Sequence, residues 1–120
     1  HGCMETWVSG TGLAADHART TGRELAAEDI AALAEGGEPD ACATLDRHAD
    51  RLARGLAHVV NLIDPEVIVL GGGLSKLGNL YAALPAMMRP WILADEADVT
   101  IRPPRWGDAS GVRGAAWLWN

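Results

Sequence analysis

The sequence predicts an α/β fold, and three observations carry that prediction. A long amphipathic helix starts at Pro39 and ends at Asp64-Pro65. Directly behind it comes Val67-Ile68-Val69-Leu70, a short run that is apolar on both faces, as strands covered on each side of a sheet are. That run stops at Gly71-Gly72-Gly73, helical spacing then resumes, and a second, weaker strand follows at Val99-Thr100-Ile101. Helix, strand, glycine turn, helix, strand and a last helix form an α/β order.

In chain order, the first forty residues read as short helices punctuated by glycine. Glu5 to Val8 forms one turn ended by Ser9-Gly10, and Leu13 to Arg19 forms another closed by Thr20-Thr21-Gly22. Asp29 to Glu35 carries Ile30, Leu33 and Ala34 at three- and four-residue spacing and stops at Gly36-Gly37. In the long helix, Pro39 suits the first turn, where its missing N–H costs nothing. Leu45, Ala49, Leu52, Leu56, Val59, Val60 and Ile63 form its apolar stripe. Arg47, Asp50, Arg51 and Arg54 lie off that stripe, which predicts a charged face toward water. Gly55 costs about 1 kcal/mol against Ala inside a helix, so its presence points to a close approach of another element. Asp64-Pro65 ends the helix because a residue before proline is driven out of the helical region. Beyond the glycine turn, Leu77, Leu80, Tyr81 and Leu84 mark a helix that Pro85 breaks or restarts before Met87, Met88 and Trp91. Pro103-Pro104 closes the second strand, and Gly107-Asp108-Ala109-Ser110-Gly111 leads into a last helix over Val112 to Trp119.

The chain has 120 residues, one domain's worth. Ten Lys and Arg stand against sixteen Asp and Glu, a net charge of -6. That balance argues against a nucleic-acid partner, because phosphate binding needs a basic face. The apolar runs fall far short of the roughly 20 residues that span a bilayer. The N-terminal residues also lack a charged-then-apolar leader, so no membrane partner and a cytoplasmic location are expected. Cys3 and Cys42 are too few for a disulfide scaffold. Three of the five tryptophans, Trp106, Trp117 and Trp119, crowd the C-terminal end, where such large rings need something to pack against.

Several segments could carry chemistry. A strand ending in Gly71-Gly72-Gly73 puts bare backbone at the carboxyl edge of a sheet, where open α/β folds bind ligands. The backbone there can approach a base or phosphate closely, although a tight strand-to-helix turn is the plain alternative. It is neither a P-loop nor a dinucleotide fingerprint, because the glycine spacing differs and no Lys-Ser/Thr follows. Ser9-Gly10-Thr11-Gly12 reads either as a phosphate-cradling loop or, more simply, as helix stop and cap. His1 and Cys3 could be two zinc ligands, but a tetrahedral site needs four, and Cys42, His17, His48 and His58 show no paired ligand spacing. His48 and His58 do not share a helix face and read as structural, and Asp16 and His17 point in different directions as neighbours on a helix, so neither pair offers a catalytic arrangement. Asp108 and Ser110 precede the last helix as ordinary caps.

Three segments taken together resemble one family. Gly2-Cys3-Met4-Glu5-Thr6-Trp7-Val8-Ser9-Gly10 is similar to the end of the zinc-binding signature of the ROK family (repressors, open reading frames and sugar kinases). Asp64-Pro65-Glu66-Val67-Ile68-Val69-Leu70-Gly71-Gly72-Gly73 resembles its helix-to-strand segment and adenosine motif. Gly107 to Trp119 resembles the C-terminal segment of bacterial ROK fructokinases in particular. The likeness runs over nearly the whole chain in the family order. It implies the C-terminal lobe of an actin-like, hexokinase-type (ribonuclease H-like) ATPase fold, incomplete here, spanning residues 1–120 with 109–119 as a last helix packing toward the other lobe. It implies transfer of the ATP γ-phosphate to a hexose hydroxyl, fructose being the favoured sugar, with Mg2+ and Zn2+ as cofactors. Glu5 then matches a carboxylate that accepts hydrogen bonds from sugar hydroxyls, Cys3 the last of four zinc ligands, and Gly71, Gly72 and Gly73 the adenosine-contacting turn.

The departures from the family pattern carry their own expectations. The family's Asp-x-Gly-Gly-Thr motif, its second phosphate loop, its catalytic base and three of its zinc ligands have no match in these residues. Phosphoryl transfer depends on groups placed on both sides of the phosphate. The 120-residue chain alone is therefore expected to be inactive, with no catalytic residue of its own and an incomplete zinc site. Hexose, ATP and further copies of itself are its expected partners. The sugar-sensing portion of a ROK transcriptional repressor is the alternative reading.

Overall fold

The computed structural model describes residues 3–94, 98–107 and 110–118. Six α-helices and two strands follow one another: α1 (Glu5–Val8), α2 (Gly10–Thr21), α3 (Ala27–Glu35), α4 (Pro39–Ile63), β1 (Val67–Val69), α5 (Gly78–Met88), β2 (Thr100–Arg102) and α6 (Ser110–Trp117). Short 3-10 turns occupy Gly73–Lys76 and Arg89–Trp91. The α/β order expected from the sequence is present, and β1 pairs with β2 in parallel, Val67 opposite Thr100, Ile68 opposite Ile101 and Val69 opposite Arg102.

Helix α4 is the spine. Glu38 caps it by accepting from the Ala41 amide at 2.6 Å, Pro39 occupies its first turn, and Asp64 ends it in the left-handed conformation at φ 51. Its first half meets Leu13 of α2 with Ala27 and Ile30 of α3, through Ala41. Its second half presents Ala53, Leu56, Ala57 and Val60 to Leu80, Leu84 and Met88 of α5 and to Ile101 of β2. Two small cores thus share one helix.

Several sequence expectations are corrected. Helix α2 begins at Gly10, earlier than expected, because Ser9 accepts from the Gly12 amide at 3.1 Å and caps it there. Helix α3 likewise begins at Ala27 rather than Asp29. Helix α5 runs through Pro85 to Met88. Pro85 is exposed, so the Tyr81 carbonyl that loses its amide donor lies on the wet side, where water can replace it. The strand expected to be covered on both faces is covered on one. Ile68 packs on the core, while Val67 and Val69, pointing the other way, are 50% and 57% exposed. Ile63, expected on the buried stripe, is exposed as well.

The C-terminal tryptophans remain uncovered by the described residues: Trp117 on α6 is 71% exposed, and Trp106 is half exposed with Arg105 and Arg113 at 5.1 and 4.3 Å from its ring centre. Asp108 and Trp119 lie outside the described residues.

Two glycines lie at close approaches, and packing demands only one of them. Gly55 meets the Met4 methyl, the close approach that its helical position implies. Gly12 lies against the backbone of α1, where a Cβ would sit 2.9 Å from the Thr6 carbonyl carbon and 3.2 Å from that of Trp7. Backbone cannot swing aside as a methionine can. Gly12→Ala should therefore destabilise the chain by about 1–3 kcal/mol, the usual cost of overpacking. Gly114→Ala, on α6 with open space around it, should be neutral or slightly stabilising. Urea titration of both variants checks this.

Candidate functional site

The glycine turn after β1 is pinned by hydrogen bonds. Gly72 has φ 86, which favours glycine, and its carbonyl accepts from both the amide and the hydroxyl of Ser75, at 3.1 and 2.6 Å. The Tyr81 hydroxyl donates to the Ser75 carbonyl at 2.7 Å, tying the turn to α5. Burial pushes the Tyr81 phenol above its ordinary value, with the bond to Ser75 opposing. The turn therefore holds Gly73 in place without help from its own side chain.

Gly73, Leu74, Lys76 and Leu77 form one wall of a cavity of about 670 Å3. The opposite walls come from Ser9, Gly10 and Thr11 at the start of α2, and from alanines of α3 flanked by Glu28 and Glu35. A Cβ on Gly73 would stand 3.9 Å from the Glu28 carboxylate, so the two segments face each other closely. Gly71 and Gly72 lie at the rim of the turn, exposed, and do not line this cavity. Sequence reasoning found Gly73 but missed Glu28 and Glu35, both on α3, and Lys76 in the same 3-10 turn as Gly73. Ser9 is the helix cap that the sequence suggested, and it also lines the cavity, its hydroxyl 2.8 Å from that of Thr11.

Cys3 and Glu5 lie apart from that cavity. Cys3 is exposed and Glu5 sits exposed on α1. Among the described residues no group of three or more His, Cys, Asp and Glu side chains could hold a metal. Those residues do not by themselves fit a tetrahedral zinc site, and His1 lies outside the described residues.

Behind α1 lies the most polar interior of the chain. Asp16, 1% exposed, accepts from Arg47 at 2.8 Å, from Arg51 at 2.9 Å and from Arg19. Arg19 and Arg51 also stand over the Trp7 ring, 5.4 and 5.0 Å from its centre. The charged face of α4 expected to meet water thus turns two of its arginines onto a buried carboxylate. The signal was the four-residue spacing of Arg47 and Arg51, opposite an aspartate already flagged on α2. His17 and His48 are buried, as structural histidines would be. The Thr44 hydroxyl donates to the Asp40 carbonyl at 2.7 Å, so it accepts from His17 Nδ1 at 3.0 Å. The Trp7 carbonyl faces His48, yet neither His48 nitrogen completes a hydrogen bond among the described residues.

A parallel strand, a glycine turn at its carboxyl edge and a cavity against that turn define an α/β protein with a cleft where open α/β folds bind ligands. The chain belongs to the ROK family, whose model matches residues 1–120. It is 38% identical over 117 residues to an N-acetyl-D-glucosamine kinase of Yersinia pseudotuberculosis, covering 98% of this chain and 38% of that protein. The corresponding kinase of Pectobacterium atrosepticum is 39% identical, with the same shares covered. A ROK family glucokinase from Streptomyces griseus, solved with glucose and AMPPNP, superposes with a TM-score of 0.83 at 26% identity, over 98% of this chain and 44% of that one. A ROK hexokinase from Thermus thermophilus gives 0.80 at 30% identity, over 98% and 40%. The fold is therefore the actin-like, hexokinase-type α/β fold in part, and the chain spans about two fifths of the length of these relatives. No helix among the described residues is long and apolar enough to cross a membrane.

The polar interior predicts a pH dependence. Burial holds His48 below its ordinary value of 6.5. Burial pushes the Asp16 carboxyl up, but hydrogen bonds and charge from Arg47 and Arg51 outweigh it and hold the group below 3.8. Both groups bind a proton more readily in the unfolded chain, so their contribution is whole at high pH and lost on acidification. The His48 share should begin to disappear as pH falls through 6.5, and the Asp16 share as it falls below 3.8. Urea midpoints measured from pH 8 to pH 3 should show both declines, with His48→Phe flattening the first and Asp16→Asn the second.

Proposed function

We propose that this chain supplies the adenosine-binding face and one sugar contact of an ATP-dependent hexose kinase. The observation that carries the reading is the cavity between the Gly73 turn and helices α2 and α3, in a chain of the ROK family. Gly73 presents backbone to the nucleoside from the cavity wall, and the resemblance assigns Gly71 and Gly72, at the rim outside that wall, to the same turn. Lys76 and the first-turn amides of α2 suit phosphate, while Glu28 and Glu35 suit the donors of adenine and ribose. Mg2+ accompanies ATP and neutralises charge on its phosphates. Glu5, exposed on α1, accepts from sugar hydroxyls. A sugar lacking the hydroxyl would leave that carboxylate unpaired, which gives discrimination.

In the transfer itself, a hexose hydroxyl attacks the γ-phosphorus, its proton passes to a base, and ADP leaves. Base and phosphate loops are assigned to the part of the relatives' length that these 120 residues do not match, so turnover is proposed for a chain of the relatives' full length and not for these 120 residues alone. Cys3 is one of four zinc ligands on the same footing. Fructose is favoured by the Gly107–Trp119 segment and N-acetylglucosamine by the curated relatives, so the substrate class proposed is a hexose. Exposed Trp117 and Leu118 support self-association, and a cytoplasmic location goes with the class.

Calorimetric titration with AMPPNP tests the reading on the chain itself. Saturable binding is expected, weakened roughly tenfold or more by Gly73→Val, whose methyls would enter the cavity. Absence of nucleotide binding by the wild-type chain would count against the adenosine face.

A further inference from the structure

A four-residue helix has no stability of its own, since nucleation alone is unfavourable. No residue of α1 is buried, yet it keeps a defined turn, with the Trp7 and Val8 amides bonded to the Met4 carbonyl at 2.9 and 3.0 Å. Beside the backbone contact at Gly12, its side-chain anchor is Trp7. The Trp7 ring lies under the guanidinium of Arg19 from α2 and that of Arg51 from α4, both within the range of about 6 Å for a cation over a ring. A surface arginine is ordinarily mobile. These two are held because each also binds Asp16, which Arg47 binds on its other oxygen.

We infer that Asp16 is the positioning residue for α1 and, through Trp7, for Glu5. The last step rests on the reading of Glu5 as a sugar contact; the clamp on α1 does not. Glu5 and Trp7 are two residues apart, so they leave the helix about 200° apart. Trp7 anchors the inner side while Glu5 is presented outward. A binding carboxylate must be held to within about 0.5 Å to be selective, and an unsupported turn cannot do that. Without the Asp16 charge, three guanidiniums would face one another with no common acceptor, and Arg19 and Arg51 would leave the ring for water.

The test uses the 120-residue chain. The contribution of Trp7 to near-ultraviolet circular dichroism is defined by the difference between wild type and Trp7→Phe. Asp16→Asn should abolish that difference and speed amide exchange at Trp7 and Val8 by at least about tenfold, with exchange at Leu56, Ala57 and Val60 speeded less than that or unchanged. Retention of the Trp7 signal and of α1 protection in Asp16→Asn would overturn the inference. Should that variant lose all protection together, Arg51→Lys decides, because it keeps the charge and loses the planar contact. A lost Trp7 signal with α4 protection intact supports the clamp, and an unchanged signal sinks it. Hexose titration with Glu5→Gln as control is a separate arm: no binding by a wild-type chain whose Trp7 signal is present removes the sugar role of Glu5 and leaves the clamp standing.

Discussion

Everything in this chain is arranged around the burial of two different stripes on one helix. Twenty-five residues of α4 span about 38 Å, longer than either core it serves. Ala41 and Thr44 face α2 and α3, and Leu56, Ala57 and Val60 face α5 and the sheet. The residues at these contacts are mostly small, so helices approach closely and each core is thin. Thin cores tolerate little, which is why Gly12 and Gly55 sit where α1 crosses the bundle. The same helix delivers Arg47 and Arg51 to Asp16 and hands the chain to β1 at Asp64. The cavity beside Gly73 and the turn bearing Glu5 are both consequences of where α4 puts its neighbours.

How much was legible in the sequence follows from which forces are local. The ends of α4 were legible because Pro39 and Asp64-Pro65 act through their own backbone geometry. The glycine turn and the parallel pairing behind it were legible for the same reason, a short apolar run stopped by residues without side chains. Pro85 misled because proline breaks a helix only where the lost hydrogen bond cannot be replaced, and exposure decides that. Val67 and Val69 misled because apolar character on both faces says what a strand can bury, not what covers it among the residues at hand.

The site divides along the same line. Gly73 could be found from a contiguous motif with Lys76 three residues on, whereas Glu28 and Glu35 join them only after α3 has packed against the turn. Asp16 was visible and was set aside, because adjacent residues on an isolated helix point apart. Here Asp16 and His17 are both buried, since α1 and α4 enclose α2 from two sides. A rule about one helix does not survive a second and third helix packed around it. Charge patterning on α4 was read as solvation, the commoner fate of arginine, and half of it proved to be internal pairing.

The net charge of -6 is the property that most needs reconciling with a nucleotide partner. As a sequence reading it argues against nucleic acid, because a duplex presents many phosphates along a whole face, and each needs a cation from the protein. ATP presents three phosphates at one point. At physiological salt the field of a distant carboxylate is screened within about 8 Å, so the overall charge weighs little against the groups that touch the ligand. Within the cavity screening is weaker and the local groups decide. On the proposed reading the phosphates are drawn toward Lys76 and the first turn of α2, and away from Glu28 and Glu35, which accept from adenine and ribose instead. On that reading an acidic chain holds ATP in one sense along the cavity, and the carboxylates that oppose the phosphates fix its direction.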